Sequence, residues 1–199
     1  QKTESRDVGA FTGVALALSA VVELRQADKD SVTVETDDNI LPLIETVVES
    51  GTLKIRYRKK TGGVQATSIR IVVTARTIEA LTVAGAGDLR ADRLQARSLT
   101  ATISGSGEIR IGALEATSFK ANISGSGDLT VAGRTDALQG NIAGSGNLQT
   151  GKLESRTASL RIAGSGYAKV WARETLAVNS AGSGDVDYYG SPTINRSVV

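Results

Sequence analysis

Cysteine, histidine and methionine are all absent from the 199 residues of this chain, and proline occurs only twice. Without an imidazole or a thiol there is no Ser-His-Asp or Cys-His machinery, no disulfide framework and none of the usual zinc sites. Long apolar runs are missing too. The most apolar stretch, Phe11 to Val22, is shorter than the roughly 20 residues a spanning helix needs and is interrupted by Thr12, Gly13 and Ser19, so no transmembrane segment is expected. Glu4 and Asp7 precede it where a signal peptide would be basic. Val14, Leu16 and Leu18 alternate with Ala15, Ala17 and Ser19, so the stretch reads as one strand. Neither charge dominates: 23 Lys and Arg stand against 21 Asp and Glu, which gives no electrostatic case for a nucleic-acid partner.

What is abundant is glycine, at 22 residues. Gly-x-Gly pairs recur at Gly85/Gly87, Gly105/Gly107, Gly125/Gly127, Gly144/Gly146, Gly164/Gly166 and Gly182/Gly184, in steps of 20, 20, 19, 20 and 18. Between pairs the apolar residues alternate with polar ones: Ile109 and Ile111, then Leu114 and Ala116, then Phe119, Ala121 and Ile123. Three short period-2 runs joined by tight bends predict an all-β fold, a parallel β-helix built as a single-stranded solenoid with about 20 residues per coil. Stacking would then put Leu99, Phe119, Leu160 and Leu176 in one interior column and Ile103, Ile123, Ile142 and Ile162 in another. Each coil would turn through the same Gly-Ser-Gly corner, where glycine accepts positive φ and lets neighbouring backbones approach.

Residues 1–80 lack the repeat but still read as β. Val21 to Arg25, Ser31 to Thr36 and Thr67 to Thr74 have strand character, and Ile44 to Glu49 with Thr52 to Tyr57 flank Ser50-Gly51 as a hairpin would. Asn39 to Pro42 reads as a turn or a single helical turn. This segment is expected to be an irregular β cap over the exposed strand edges of the coils at 81–199, the two forming one continuous domain.

The residue after each glycine pair forms a column of Asp88, Glu108, Asp128, Asn147, Tyr167 and Asp185. Its carboxylates could hold a cation such as calcium, or each could accept amides of its own corner, the reading preferred here. Glu108 and Asp128 could also serve as an acid/base pair for glycoside cleavage, but coils of 18 to 20 residues leave no loops to wall a cleft. Gly146-x4-Gly151-Lys152 is not a phosphate loop, since Leu153 stands where a hydroxyl residue would hold magnesium. No catalytic residue, metal site or cofactor is expected. Two surfaces remain as ligand candidates. Lys54, Arg56, Arg58, Lys59 and Lys60 make the one basic cluster, suited to polyanions or to blunting an edge strand. Tyr167, Trp171, Tyr188 and Tyr189 crowd the last coils, either to stack on sugar rings or to form a lid on the C-terminal end.

Five segments together resemble a known family. They are Phe11-Thr12-Gly13-Val14, Asp38-Asn39-Ile40-Leu41-Pro42, Val48 to Ile55 (VESGTLKI), the serial SGSG and AGSG units, and Asp185-Val186-Asp187-Tyr188-Tyr189-Gly190-Ser191-Pro192. The family is the head GIN domain of putative auto-transporter adhesins, bacterial cell-envelope proteins. The resemblance implies a right-handed β-helix and an exported location in the periplasm, at the outer-membrane surface or outside the cell. Such proteins often run on into another glycine-rich unit where this chain ends at Val199, so the last coil is expected to be incomplete. The resulting expectation is a non-enzymatic adhesin or surface scaffold that binds glycan or another envelope component. The alternative is a β-helical polysaccharide hydrolase or lyase.

Overall fold

A computed structural model describes residues 1–59, 62–64 and 68–199. Its centre is a stack of long parallel strands, each of which is one bent coil: β9 (Asp88–Gly105), β10 (Glu108–Gly125), β11 (Asp128–Gly144), β12 (Asn147–Gly164) and β13 (Tyr167–Gly182). They pair in sequence order, with Glu108 beside both Asp88 and Asp128, Asp128 beside Asn147, and Asn147 beside Tyr167. The parallel solenoid with about 20 residues per coil is therefore present, and it is held by coil-to-coil hydrogen bonds rather than by loops.

The corners show why glycine recurs. The two glycines of a pair are required for different reasons. Gly125 has φ +116°, a region costly for any side chain, whereas Gly127 has an ordinary φ. A Cβ on Gly127 would lie 2.5 Å from both the Gly107 carbonyl oxygen and the Ile103 Cγ2, so it is the approach of the neighbouring coil that excludes one. The corners also bond to each other: Ser126 N–H donates to Gly105 O at 3.0 Å, and Asp128 N–H to Gly107 O at 3.2 Å.

Interior columns follow the register, with one correction. Ile103, Ile123, Ile142 and Ile162 do stack. The other column runs Leu99, Phe119, Leu138, Ala158, Leu176, and Leu160 instead follows Ala101, Ala121 and Gly140. Every member of the Leu99 column lies six residues before the first glycine of its corner, whereas Leu160 lies four before Gly164. The packing compensates in volume, because a Cβ on Gly140 would come within 2.8 Å of Leu160 Cδ2 while the small Ala158 sits under Leu138.

Parallel stacking continues beyond the glycine motif. The stretch Phe11 to Val22 is two strands, β2 (Gly13–Leu16) and β3 (Val21–Gln26), rather than one. They stack on β8 (Ala80–Gly85) and β9 with Gly13 opposite Ala80 and Val21 opposite Asp88, so Ala17 to Ala20 turns where Ala84 to Gly87 turns one layer on. A second layer follows, with β6 (Thr52–Tyr57) on β2 and β7 (Arg70–Ala75) on β3. Of the strand expected over Thr67 to Thr74, Thr67 lies outside the described residues. Antiparallel strands finish this end: β5 (Ile44–Glu49) forms the hairpin with β6, β4 (Ser31–Thr36) lies on β7, and β1 (Lys2–Arg6) on β4. A single 3-10 turn, Leu41–Leu43, precedes β5, and Arg6 donates to the carbonyls of Leu41 and Ile44 at 2.7 and 2.8 Å.

The two extra layers leave part of the first coil uncovered, and a side chain substitutes for the missing strand. The Gln26 amide donates to Gln95 O at 3.0 Å and accepts from Gln95 N–H at 2.8 Å, as a neighbouring peptide would. At the far end β14 (Asp185–Tyr189) and β15 (Thr193–Val198) form a thin last layer on β13. The interior columns emerge there as Tyr188 and Ile194, 45% and 44% exposed.

Candidate functional site

The basic cluster begins on β6, whose inward residues Leu53 and Ile55 are buried, so Lys54 and Arg56 point outward. The hairpin brings them acids. Lys54 lies 2.7 Å from Glu49, and Arg56 lies 2.8 Å from Glu45 and 3.0 Å from Glu49. Hydrogen bonding from Lys54, then from Arg56, holds the Glu49 carboxyl below its ordinary range, and Glu45 first among its partners raises the Arg56 guanidinium. Arg58 donates to Pro42 O at 2.7 Å, Lys59 is exposed, and Lys60 lies outside the described residues. Positive potential at Lys54 and Arg56 is thus largely cancelled across the strand pair.

The four aromatics divide between two places. Tyr188 continues the interior column of Val170 and lines an open depression of about 420 Å³ at the end of the stack with Val186, Leu176 and Ile194. Tyr167 and Trp171 point sideways instead, alternating with buried Ala168, Val170 and Ala172, and Tyr189 lies beside Trp171 in the register. Tyr167 donates its hydroxyl to Asp187 at 2.7 Å, which raises its pKa. Lys169 places its Nζ 5.0 Å from the centroid of Tyr189, and contact with Tyr189, hydrogen bonding first and charge second, raises the lysine.

The acidic column stacks as expected from the register, yet its partners differ from both readings of it. Arg110 pairs with Glu108 at 2.5 Å, Arg90 lies 3.8 Å from Asp88, and Asn147 Nδ2 donates to Asp128 at 2.7 Å. The corner amides donate to the carbonyls of the preceding coil, so they are taken by the stacking itself. Among the described residues no three acidic groups converge as a metal centre would need.

A third region was missed in the sequence. Register shifts fall at the same bend in three successive pairings: between Ile111 and Leu114, between Thr130 and Ala132, and between Thr150 and Glu154. The coils therefore absorb most of their length differences at one bend, and β12 and β13 shift once more between Ser155 and Thr157. Two hydroxyls satisfy carbonyls next to it, Thr150 Oγ1 donating to Lys169 O at 2.9 Å and Ser155 Oγ to Trp171 O at 2.5 Å. The outward residues at the bend, Gly112, Ala132 and Gly151, are all small and form the floor of a lateral groove of about 360 Å³. Arg110, Thr130, Gln149, Lys152 and Lys169 flank it, and Tyr189 closes one end. The signal was available, since each floor residue lies five residues after the second glycine of a corner, Gly107, Gly127 and Gly146.

The class defined by this geometry is a parallel β-solenoid with a shallow groove on its side and, among the described residues, no loop long enough to wall a cleft. The chain belongs to the family described as "Putative auto-transporter adhesin, head GIN domain", which matches residues 10–192. It is similar to the crystal structure of a putative lipid binding protein from Parabacteroides distasonis, at 24% identity and a TM-score of 0.84, over 100% of this chain and 93% of that one. A putative adhesin from Bacteroides fragilis matches at 20% identity and a TM-score of 0.81, over 98% and 96% of the two chains. Another from Parabacteroides merdae matches at 14% identity and a TM-score of 0.78, over 100% and 92%. At these identities the likeness concerns the fold. A search of curated proteins finds no match. No described helix is long and apolar enough to cross a membrane.

Proposed function

We propose that the chain is a non-enzymatic module of an exported cell-envelope protein, an adhesin or surface scaffold that binds glycan or another envelope component along its side. The observation that carries this reading is the bend at Gly112, Ala132 and Gly151, where register shifts align into an open groove instead of sprouting loops. An open groove suits a long ligand bound in passing. Turnover needs reacting groups held in a water-poor pocket, and the carboxylates of Glu108 and Asp128 are committed to Arg110 and Asn147. Membership of the family supports the exported setting, and the names of the similar structures, adhesin and lipid binding protein, support binding rather than catalysis.

The test is a glycan array on the purified chain, paired with an assay for new reducing ends or unsaturated products on every glycan that binds. Saturable binding without product is expected. Product formation that disappears in Glu108→Gln or Asp128→Asn would establish the polysaccharide-processing enzyme in its place.

A further inference from the structure

We infer that the lateral groove is a binding site for an acidic glycan, a chain of sugars bearing carboxylate or phosphate groups; this rests on the binding reading above and names its ligand class. Three cations, Arg110, Lys152 and Lys169, line the groove and no carboxylate does. Lys152 is exposed and makes no ion pair among the described residues, in contrast to Lys54 and Arg56, which Glu45 and Glu49 already neutralise. Glu108 balances Arg110, and Asp187, which accepts the Tyr167 hydroxyl, lies beside Lys169 in the register, so Lys152 is the cation left uncompensated. The groove therefore presents net positive charge with one lysine unpaired.

Its shape selects the kind of anion. Arg110 and Lys169 stand three coils apart, roughly 14 Å at the usual strand spacing, with Lys152 between them, so an extended chain with repeated charges can meet all three. Thr130 and Gln149 supply neutral hydrogen-bonding groups in the same column, as sugar hydroxyls require. Tyr189, 50% exposed at the end of the groove, offers a ring face for a sugar. An anionic membrane fits less well. A bilayer surface cannot enter a concave groove, and the exposed apolar side chains Tyr188, Ile194 and Val198 lie at the end of the stack. Bulges are a common device for setting side chains beside a binding site, and here three of them align.

The probes are oligogalacturonate, a neutral galactan oligomer of the same length, and phosphatidylglycerol vesicles, titrated against wild type and three variants with melting curves as a folding control. The acidic oligomer is expected to bind at least about tenfold more tightly than the neutral one, and to weaken as salt shortens the Debye length below roughly 8 Å. Lys152→Glu with Lys169→Glu should lose about tenfold, Ala132→Gln should block the groove with no change in charge, and Lys54→Glu should have no effect. Acidic-oligomer binding that survives both groove variants, with unchanged melting, overturns the assignment. Neutral-sugar binding unaffected by them overturns it too while leaving the adhesion reading in place. If vesicles bind through Lys152 and Lys169 and no oligosaccharide binds, the site belongs to a lipid headgroup and the glycan assignment is wrong. If none of the three probes binds to the wild type, the acidic-glycan assignment fails, and the glycan array decides the binding reading separately.

Discussion

Three glycine-to-alanine substitutions separate the two reasons for the corner motif. Gly85 has φ +99°, but a Cβ there would meet nothing within 4 Å. Gly85→Ala therefore isolates backbone strain, about 1 to 3 kcal/mol less the roughly 0.4 to 1 kcal/mol that alanine recovers by restricting the unfolded chain. Gly127→Ala isolates collision, with backbone oxygen and Ile103 each 2.5 Å from the new Cβ. Overpacking of this kind costs about 1 to 3 kcal/mol, and easing it stretches the Asp128 to Gly107 hydrogen bond, about 1 kcal/mol more. Gly125→Ala combines both faults, since its φ is +116° and its Cβ would lie 2.5 Å from Gly105 O. It should cost about 3 to 5 kcal/mol, Gly127→Ala about 2 to 4, Gly85→Ala about 1 to 2, and exposed Ser126→Ala within about 0.5. Urea unfolding followed by far-UV circular dichroism and by the fluorescence of Trp171, the one tryptophan, reads these values. Gly85→Ala costing as much as Gly125→Ala would refute the separation of strain from collision. Four equal, small effects would refute the stacked corner itself.

Two further outcomes concern the N-terminal layers. Glu49 and Glu23 are held below the ordinary glutamate range, the first by hydrogen bonding from Lys54 and then Arg56, the second chiefly by Arg70. Groups depressed in the folded state contribute stability above the unfolded glutamate pKa and lose it as pH falls through the lower folded value, so the outer layers should loosen in mild acid before the coils do. Hydrogen exchange between pH 7 and pH 3 should show protection of β5 and β7 falling first, with Glu49→Gln flattening the response of β5; simultaneous loss in β11 would contradict this. Gln26→Ala should cost about 1 to 2 kcal/mol and speed exchange of the Gln95 amide specifically, and unchanged exchange there would mean that water replaces the side chain at no cost.

The coil period was legible because glycine is the residue that cannot be replaced at a corner where backbones touch. The hairpin from Ile44 to Tyr57 was legible for a similar reason, since Ser50, at φ +51°, and Gly51, at φ +76°, form the tight turn. Where the turn residues were ordinary, the sequence misled. Ala17-Leu18-Ser19-Ala20 bends like a glycine corner with no glycine in it, and a continuous alternation masked the break. The register of that hairpin contained more than was extracted from it: a two-residue turn puts Glu45 opposite Arg56, which would have shown the basic strand to be neutralised. The column of Leu99 and the floor of the groove keep fixed offsets from the corner glycines, six residues before the first and five after the second, so aligning the corners would have placed Leu160 and found the floor. What composition does not mark is where a coil loses a residue. Gly133, at φ +129°, absorbs one such deletion, and in the sequence it is one more glycine among 22.

The layer made by β2 and β3 lies between strands that come later in the chain, β6 and β7 on one side and β8 and β9 on the other. Contacts within the coil stack join residues such as Ser98 and Ser118, 20 positions apart, whereas Gln26 and Gln95 are 69 apart. Closing the longer loop costs about 1 kcal/mol more in chain entropy. The coils can therefore zip up from any neighbouring pair, while the inner N-terminal layer is complete only when later strands have joined it on both sides. The same threading resists force. A pull on the N-terminus has to shear β2 and β3 from two neighbours at once, so an early stretch of the chain is bolted in from both faces when the module is under tension.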